Sequence, residues 1–319
     1  MYHSDIIGPV LIVGLGGLGK KVAMEAKCDT GFDCFIISSD KRDLDGNNSL
    51  YVDCNPWMNP SVLRIRSVFR KHEAIISDIF SRYRTVIIVS NLGGKAGSAI
   101  SPLVCSIAKL SLCKVISLVV MPFRYEKERL FNSAVCLKRI NSFSDGVFVL
   151  DNDAFLEINP DLSPEECFSI TNNTLVNIIK LIPSENLCSG PGIISTSRPK
   201  EHSAEKALRD SIAMLYSSSD PDSLGKSFLL IGNISERPIG TLNMMVDKLS
   251  KMQNIDRIAE VNLLTSNNSD RAINLLTFVE GMAKFDSYDP LAVIPRENYL
   301  DWDLPDCHPN FTLPLTNIE

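Results

Sequence analysis

Three short stretches carry residue types able to hold phosphate and sugar. The first, Gly14-Leu15-Gly16-Gly17-Leu18-Gly19-Lys20-Lys21, follows the apolar run Val10 to Val13. Glycine lets the backbone turn tightly beside an anion, and a helix starting there aims unpaired amides and a partial positive charge at it. A tight strand-to-helix crossing without a ligand would use the same glycines, and the loop alone does not choose among a dinucleotide, ATP and GTP. It is not a Walker A loop, because the four-residue spacer and the Gly-Lys-Ser/Thr ending are absent. The second stretch, Asn91-Leu92-Gly93-Gly94-Lys95-Ala96-Gly97-Ser98-Ala99, repeats the arrangement ahead of Pro102, read as an early helix position. Two glycine-rich strand-to-helix loops are more specific than one. The third, Met121-Pro122-Phe123-Arg124-Tyr125-Glu126, ends in a carboxylate suited to accepting hydrogen bonds from sugar hydroxyls, although Glu126 alone would be an ordinary exposed acid.

Positioning these loops requires alternating strands and helices. Apolar runs at 10–13, 35–37, 86–89, 115–120 and 147–150 read as buried parallel strands. Helical spacing is expected over 19–27, over 61–82 as one element, and over 102–112, 130–142 and 164–181. The alternation predicts an α/β fold with a doubly wound, mostly parallel sheet, whose ligands bind at the carboxyl ends of the strands. Beyond it, a Ser, Gly and Pro-rich loop at 184–199 holds a short strand at 193–194. A second unit has helices at 204–217 and 241–252, a strand at 227–231 and apolar segments at 258–264 and 272–279. From Asp286 onward five prolines predict an extended tail.

Composition narrows the function classes. The chain has 319 residues, 22% charged and 45% hydrophobic, with a formal charge of −6, so a basic field for coating nucleic acid is not expected. Nine scattered cysteines, without a CxxC pair, read as reduced buried thiols and not as a metal site. No apolar run approaches the roughly 20 residues of a membrane span, and no signal peptide is read at the N-terminus. A cytoplasmic protein is expected.

Together the loops resemble the FtsZ/tubulin superfamily. Gly14 to Ala23 lies without a gap on that family's first loop, with Lys20 and Lys21 in place of paired asparagines, and Gly31 to Asp40 resembles its second, with Ser38 and Ser39 replacing Asn and Thr. Gly93 to Ala99 is similar to the tubulin signature: Gly93, Gly94 and Gly97 match, Ser98 replaces Thr, and Lys95 and Ala99 replace glycines. Pro122 to Lys127 resembles the Pro-Phe-x-Phe-Glu-Gly segment, which implies a ribose contact for Glu126. Arg129 and Asn152-Asp153 both arrive one residue early, as one deletion would produce. Phe168 and Asn172 have the family's Phe-x-x-x-Asn spacing, on one helix face. The resemblance implies nucleotide contacts from Gly16, Gly17, Lys20, Lys21, Ser39, Gly93, Gly94, Lys95, Gly97, Ser98, Glu126, Arg129, Asn152, Phe168 and Asn172. It implies GTP or GDP as the ligand, with Mg2+ left open. The implied partners are a second copy or an active FtsZ-like relative, through longitudinal contacts.

Two departures bear on chemistry. The third loop, Asn55-Pro-Trp-Met-Asn-Pro-Ser61, has no glycine, and Lys95 either compensates charge at the phosphates or obstructs them. Where the family carries two acids that orient the hydrolytic water, the chain reads Ser195-Thr196-Ser197-Arg198-Pro199-Lys200. Hydrolysis is therefore expected to be weak or absent. Arg198 and Lys200 remain available to phosphates or to an acidic neighbour. The expected division is a nucleotide-binding domain at 1–163, a central helix at 164–183, a smaller α+β C-terminal domain at 184–297 and a tail at 298–319. The rival is a Rossmann-type adenylating enzyme of the ubiquitin-activating/ThiF kind, or an NAD-dependent enzyme. Either would use the first loop, with Asp40 on a ribose, and leave the second loop unexplained.

Overall fold

The computed structural model describes residues 8–44, 46, 48–56, 59–182, 190–198, 204–220, 223–232, 247, 258–264, 273–280 and 283. The strands are β1 (Val10–Leu15), β2 (Asp33–Ser38), β3 (Ser49–Tyr51), β4 (Thr85–Asn91), β5 (Lys114–Met121), β6 (Gly146–Asp151), β7 (Gly190–Thr196), β8 (Leu224–Gly232), β9 (Ile258–Leu264) and β10 (Ile273–Val279). The helices are α1 (Gly16–Thr30), α2 (Val62–Arg70), α3 (Glu73–Phe80), α4 (Lys95–Leu110), α5 (Lys127–Phe143), α6 (Asn152–Ile158), α7 (Pro164–Leu181) and α8 (Ala204–Ser218).

One sheet runs in the order β3-β2-β1-β4-β5-β6-β7-β10-β8-β9. Its first seven strands are parallel, while β10 pairs antiparallel with both β7 and β8. The apolar runs are legible because both faces are covered. Leu11 and Val13 pack on one side with Ile65, Phe69 and Phe80, and Val10 and Ile12 pack on the other with Val22, Leu175 and Ile179. The carboxyl ends of β1, β2, β4, β5 and β6 consequently share one edge.

Helix α7 starts where the sequence predicts, since Ser163 and Glu166 close a reciprocal capping box and Pro164 sits at the first helical position. Three boundaries differ. The expected helix at 61–82 is two, because Lys71 and His72 donate to the carbonyls of Val68 and Phe69 in a tight closing turn that apolar spacing does not reveal. Helices α1 and α4 begin at Gly16 and Lys95, so the glycines form the first turns and Pro102 lies inside α4. The edge strand β3 has only three residues, and no apolar run announces it. Residues 241–252 and the tail lie outside the described residues, apart from residue 247.

Six of the seven described cysteines are buried and Cys28 is exposed; all seven are free thiols. Burial pushes the Cys105 thiol up to about 11 and that of Cys167 to about 12, which keeps both protonated and unreactive at neutral pH. Cys188 and Cys307 lie outside the described residues.

Candidate functional site

Two long helices present their N-termini at the carboxyl edge, and neither is capped by a side chain: Leu15 precedes α1 and Gly94 precedes α4. Their first-turn amides are therefore donors aimed at the edge. The two starts are neighbours, since a Cβ placed on Gly16 would lie 3.4 Å from Cβ of Ala96. Gly16 has φ +68°, in the left-handed region that side chains disfavour. At Gly97 the reason is proximity: a Cβ there would fall 2.0 Å from the Asn91 carbonyl oxygen, so α4 can start this close to β4 only with glycine.

The remaining loops join this pair in sequence. A Cβ on Gly93 would lie 2.8 Å from Cβ of Pro122, which brings the second stretch against the third. Arg124 pairs with Asp153 at 2.9 Å and so ties the third stretch to the start of α6. Phe123 stacks on Tyr125, with ring centroids 5.2 Å apart, and packs on Phe168 of α7 at 5.6 Å. Glu126 accepts from the Phe123 amide at 3.2 Å and pairs with Arg129. The proposed ribose contact and the proposed nucleotide-contacting arginine thus face each other.

Asn152 and Asn172 are 1% and 6% exposed, and each has a buried Oδ1 with no hydrogen-bond partner. Buried amide oxygens are normally satisfied, and both orphans belong to residues that the family resemblance places against the nucleotide. Ser98, by contrast, is committed: its hydroxyl donates to the Gly94 carbonyl at 2.9 Å. Lys20 donates to the Arg42 carbonyl at 3.3 Å, whereas Lys21, one position further along α1, is exposed. Lys95 reaches across to the segment before α2. Its ammonium donates to Asn59 Oδ1 at 2.6 Å, beside a cavity of about 520 Å³ that Ser39 also lines.

The sequence reading missed Arg42, Asp43 and Asn59. The Asp43 carboxylate accepts from Ser38 Oγ at 2.6 Å and stands 3.2 Å from where a Cβ on Gly17 would be, placing an acid at the positive end of α1. Arg42 chelates Asp40 and holds its carboxyl down at about 2. Asn59-Pro60 reads as a turn, but its contact with Lys95 spans 36 residues and has no local signature.

The segment expected to face a neighbour is turned inward. Arg198 donates to Asn159 Oδ1 at 2.7 Å and pairs with Asp161, whose carboxyl the guanidinium holds below the usual range. Asp161's folded pKa is depressed, so what the pair contributes is present above the ordinary carboxylate range and is lost as pH falls through the lowered value. Ser197 Oγ accepts from the Ile273 amide at 2.9 Å and is fully buried. Arg198 is thus not the open cation expected for an acidic neighbour, and Lys200 lies outside the described residues.

Residues 55–160 match the family model described as Tubulin/FtsZ family, GTPase domain. Cell division protein FtsZ 1 of Pyrococcus furiosus is 31% identical over 209 residues, covering 60% of this chain and 54% of the relative. Cell division protein FtsZ 2 of Haloferax volcanii is 27% identical over 187 residues, covering 54% and 45%. The aligned part spans about half the length of these curated relatives. Among solved structures, an empty FtsZ dimer of M. jannaschii superposes with a TM-score of 0.67 at 17% identity, covering 85% of this chain and 88% of that one. CetZ2 from Haloferax volcanii, in a GTPγS-bound protofilament, superposes with a TM-score of 0.64 at 16% identity, covering 89% and 97%. At such identities the superpositions establish the fold.

Proposed function

Because the chain belongs to the FtsZ/tubulin superfamily, a family of cytoskeletal GTPases, we propose that it binds a guanine nucleotide across the carboxyl edge of its sheet and turns it over weakly or not at all. The orphan oxygens of Asn152 and Asn172 carry the guanine assignment. Guanine offers two donors on one edge, N1–H and the 2-amino group, matching two acceptors that lack partners, whereas adenine offers one amino group and an acceptor. In this reading the amides of Gly16, Gly17, Gly93, Gly94 and Gly97 and the Lys20 and Lys95 ammonium groups face phosphate. Glu126 and Arg129 face the ribose side, and Phe168 packs on the base. Ser39 borders the phosphates. Ser98 acts through the backbone it braces, and Lys21 contributes only long-range charge.

Weak turnover follows from the segment after β7. Ser197 is engaged with β10 and Arg198 with Asn159 and Asp161, so neither offers a carboxylate to orient water. Retained head-to-tail assembly, with a second copy or with an active relative, is part of the same proposal, prompted by the dimer and protofilament described for the neighbours. So is the division of the chain at residues 163, 183 and 297. No helix among the described residues is long and apolar enough to cross a membrane. The adenylating or NAD-dependent alternative shares the strand order β3-β2-β1-β4-β5-β6 but leaves the α4 start and the orphan amides without a role.

The test is to load concentrated protein with γ-labelled GTP and follow retained nucleotide and released phosphate together. The expected result is retained GTP, with turnover roughly a hundredfold or more below that of an active FtsZ-type enzyme. Equal turnover would contradict the hydrolytic reading, and absence of retention would contradict the binding reading.

A further inference from the structure

Helices α2 and α3 pack beside α4 through Ile65, Val68, Phe69, Ile76 and Phe80, which turns their other sides outward. Six large hydrophobic side chains are exposed among the described residues. Four of them, Leu63 (53%), Ile75 (54%), Leu110 (80%) and Leu112 (92%), belong to α2, α3 and the end of α4 with the turn that follows it. The hydroxyl oxygens of Ser77 and Ser111 are 3.3 Å apart, so that turn adjoins α3. Leu112 has φ +61°, a conformation that glycine or asparagine adopts at less cost than leucine. A leucine held there and so exposed contributes no packing to the core, and clustered exposed apolar side chains mark a surface that meets something. The surroundings are basic: residues 61–84 carry six Lys and Arg against two acids, in a chain whose total is −6. Arg66 is turned inward to the Ala99 carbonyl at 3.4 Å and Arg82 pairs with Asp78 at 2.7 Å, while Lys71 and Arg84 are exposed.

The opposite composition stands in segment 298–319, which lies outside the described residues. It has four acids, Asp301, Asp303, Asp306 and Glu319, no Lys or Arg, and Trp302 and Phe311 among four leucines. We propose that this segment docks on the outward face of α2, α3 and the turn after α4 of its own chain, as a built-in cover for that face. The inference is independent of the nucleotide reading. The last described residue, Ala283, packs in the same hydrophobic cluster as Ile65, Phe69, Ile76 and Phe80, so the described chain ends on the sheet face that α2 and α3 cover. Four strand spacings, about 20 Å, separate β10 from β4, and the 14 residues between Ala283 and Asn298 span up to about 50 Å. Exposed ion pairs contribute little, so charge selects and orients the segment while its aromatic and leucine side chains, covering Leu63, Ile75, Leu110 and Leu112, supply the affinity. Weak contacts suffice, because a tether this short holds the segment at an effective concentration on the order of millimolar. Pairing two such faces from two chains would instead set like charges against each other.

The experiment is zero-length carbodiimide coupling of the full chain at low concentration, read by mass spectrometry of the monomer, with Lys109 and Asp145, 2.5 Å apart, as the internal control. Lys71 should link to Asp301, Asp303 or Asp306 within one chain. The full-length variant Leu63→Ser/Ile75→Ser/Leu112→Asn should lower that yield roughly fivefold or more by removing the apolar contacts. It should keep the control link, because the three side chains lie outside the core and asparagine tolerates the φ of residue 112. In a Trp57→Phe background Trp302 is the single tryptophan, and its emission should move to longer wavelength when the triple substitution is added. A control link without any Lys71 coupling, coupling found only between two chains, or an unchanged yield in the triple variant would overturn the proposal.

Discussion

Asn172→Leu should make the ligand-free protein more stable, by about 1 kcal/mol, while lowering its affinity for guanine nucleotide roughly 10- to 100-fold. The opposite signs come from one atom. Asn172 Oδ1 is buried with no partner, so the folded protein already bears its desolvation, and an apolar side chain of similar size removes that cost. In the proposed complex the same oxygen accepts from a guanine donor, and its loss leaves that donor unpaired there. Denaturant unfolding without ligand and calorimetry with GDP read the two effects separately. Loss of both stability and affinity would show Asn172 to be a packing residue.

Gly97→Ala should be the most damaging glycine-to-alanine change among the described residues, costing about 3 kcal/mol and abolishing the proposed nucleotide binding. Its Cβ would sit 2.0 Å from the Asn91 carbonyl oxygen, whereas Cβ atoms essentially never come within 3.0 Å of a non-bonded neighbour from elsewhere in the chain. Relief requires the first turn of α4 to move about 1 Å from β4, and both partners are backbone, so no side chain can yield. That movement carries the α4 amides and Lys95 away from the edge. Gly94→Ala is the matched control. Its Cβ would lie 3.3 Å from the same carbonyl at an ordinary φ of −84°, and its cost should stay within about 1 kcal/mol. Urea unfolding of both variants checks the pair. Equal costs would mean that the close contact is not what selects glycine at residue 97.

How much of this was legible depended on whether the signal was local. Val10 to Val13, Val86 to Val89 and Val115 to Val120 read as strands because a central parallel strand is covered on both faces and cannot tolerate polar residues. Ser49 to Tyr51 did not, because an edge strand at the rim needs no apolar run. The glycine loops are legible as strand-to-helix crossings, but their extent differs in the structure. Glycine lowers helix propensity, so propensity starts α1 and α4 late, whereas close packing against β1 and β4 makes the glycines the first helical turns. Asn152 and Asn172 stood out only through the family resemblance, since nothing in their spacing reveals an unpaired buried oxygen. Arg198 with Asn159 and Asp161, and Lys95 with Asn59, were illegible. These contacts join residues 36 to 39 positions apart, and only the assembled edge brings them together.

The most direct test of the central claim is calorimetric titration of the nucleotide-stripped protein with GTP and with ATP in the same buffer. Guanine nucleotide should bind at one site per chain, with ATP at least about thirtyfold weaker, because adenine leaves one of the two amide oxygens unsatisfied and opposes another acceptor. ATP binding as tight as GTP, or no heat from either, would contradict the account.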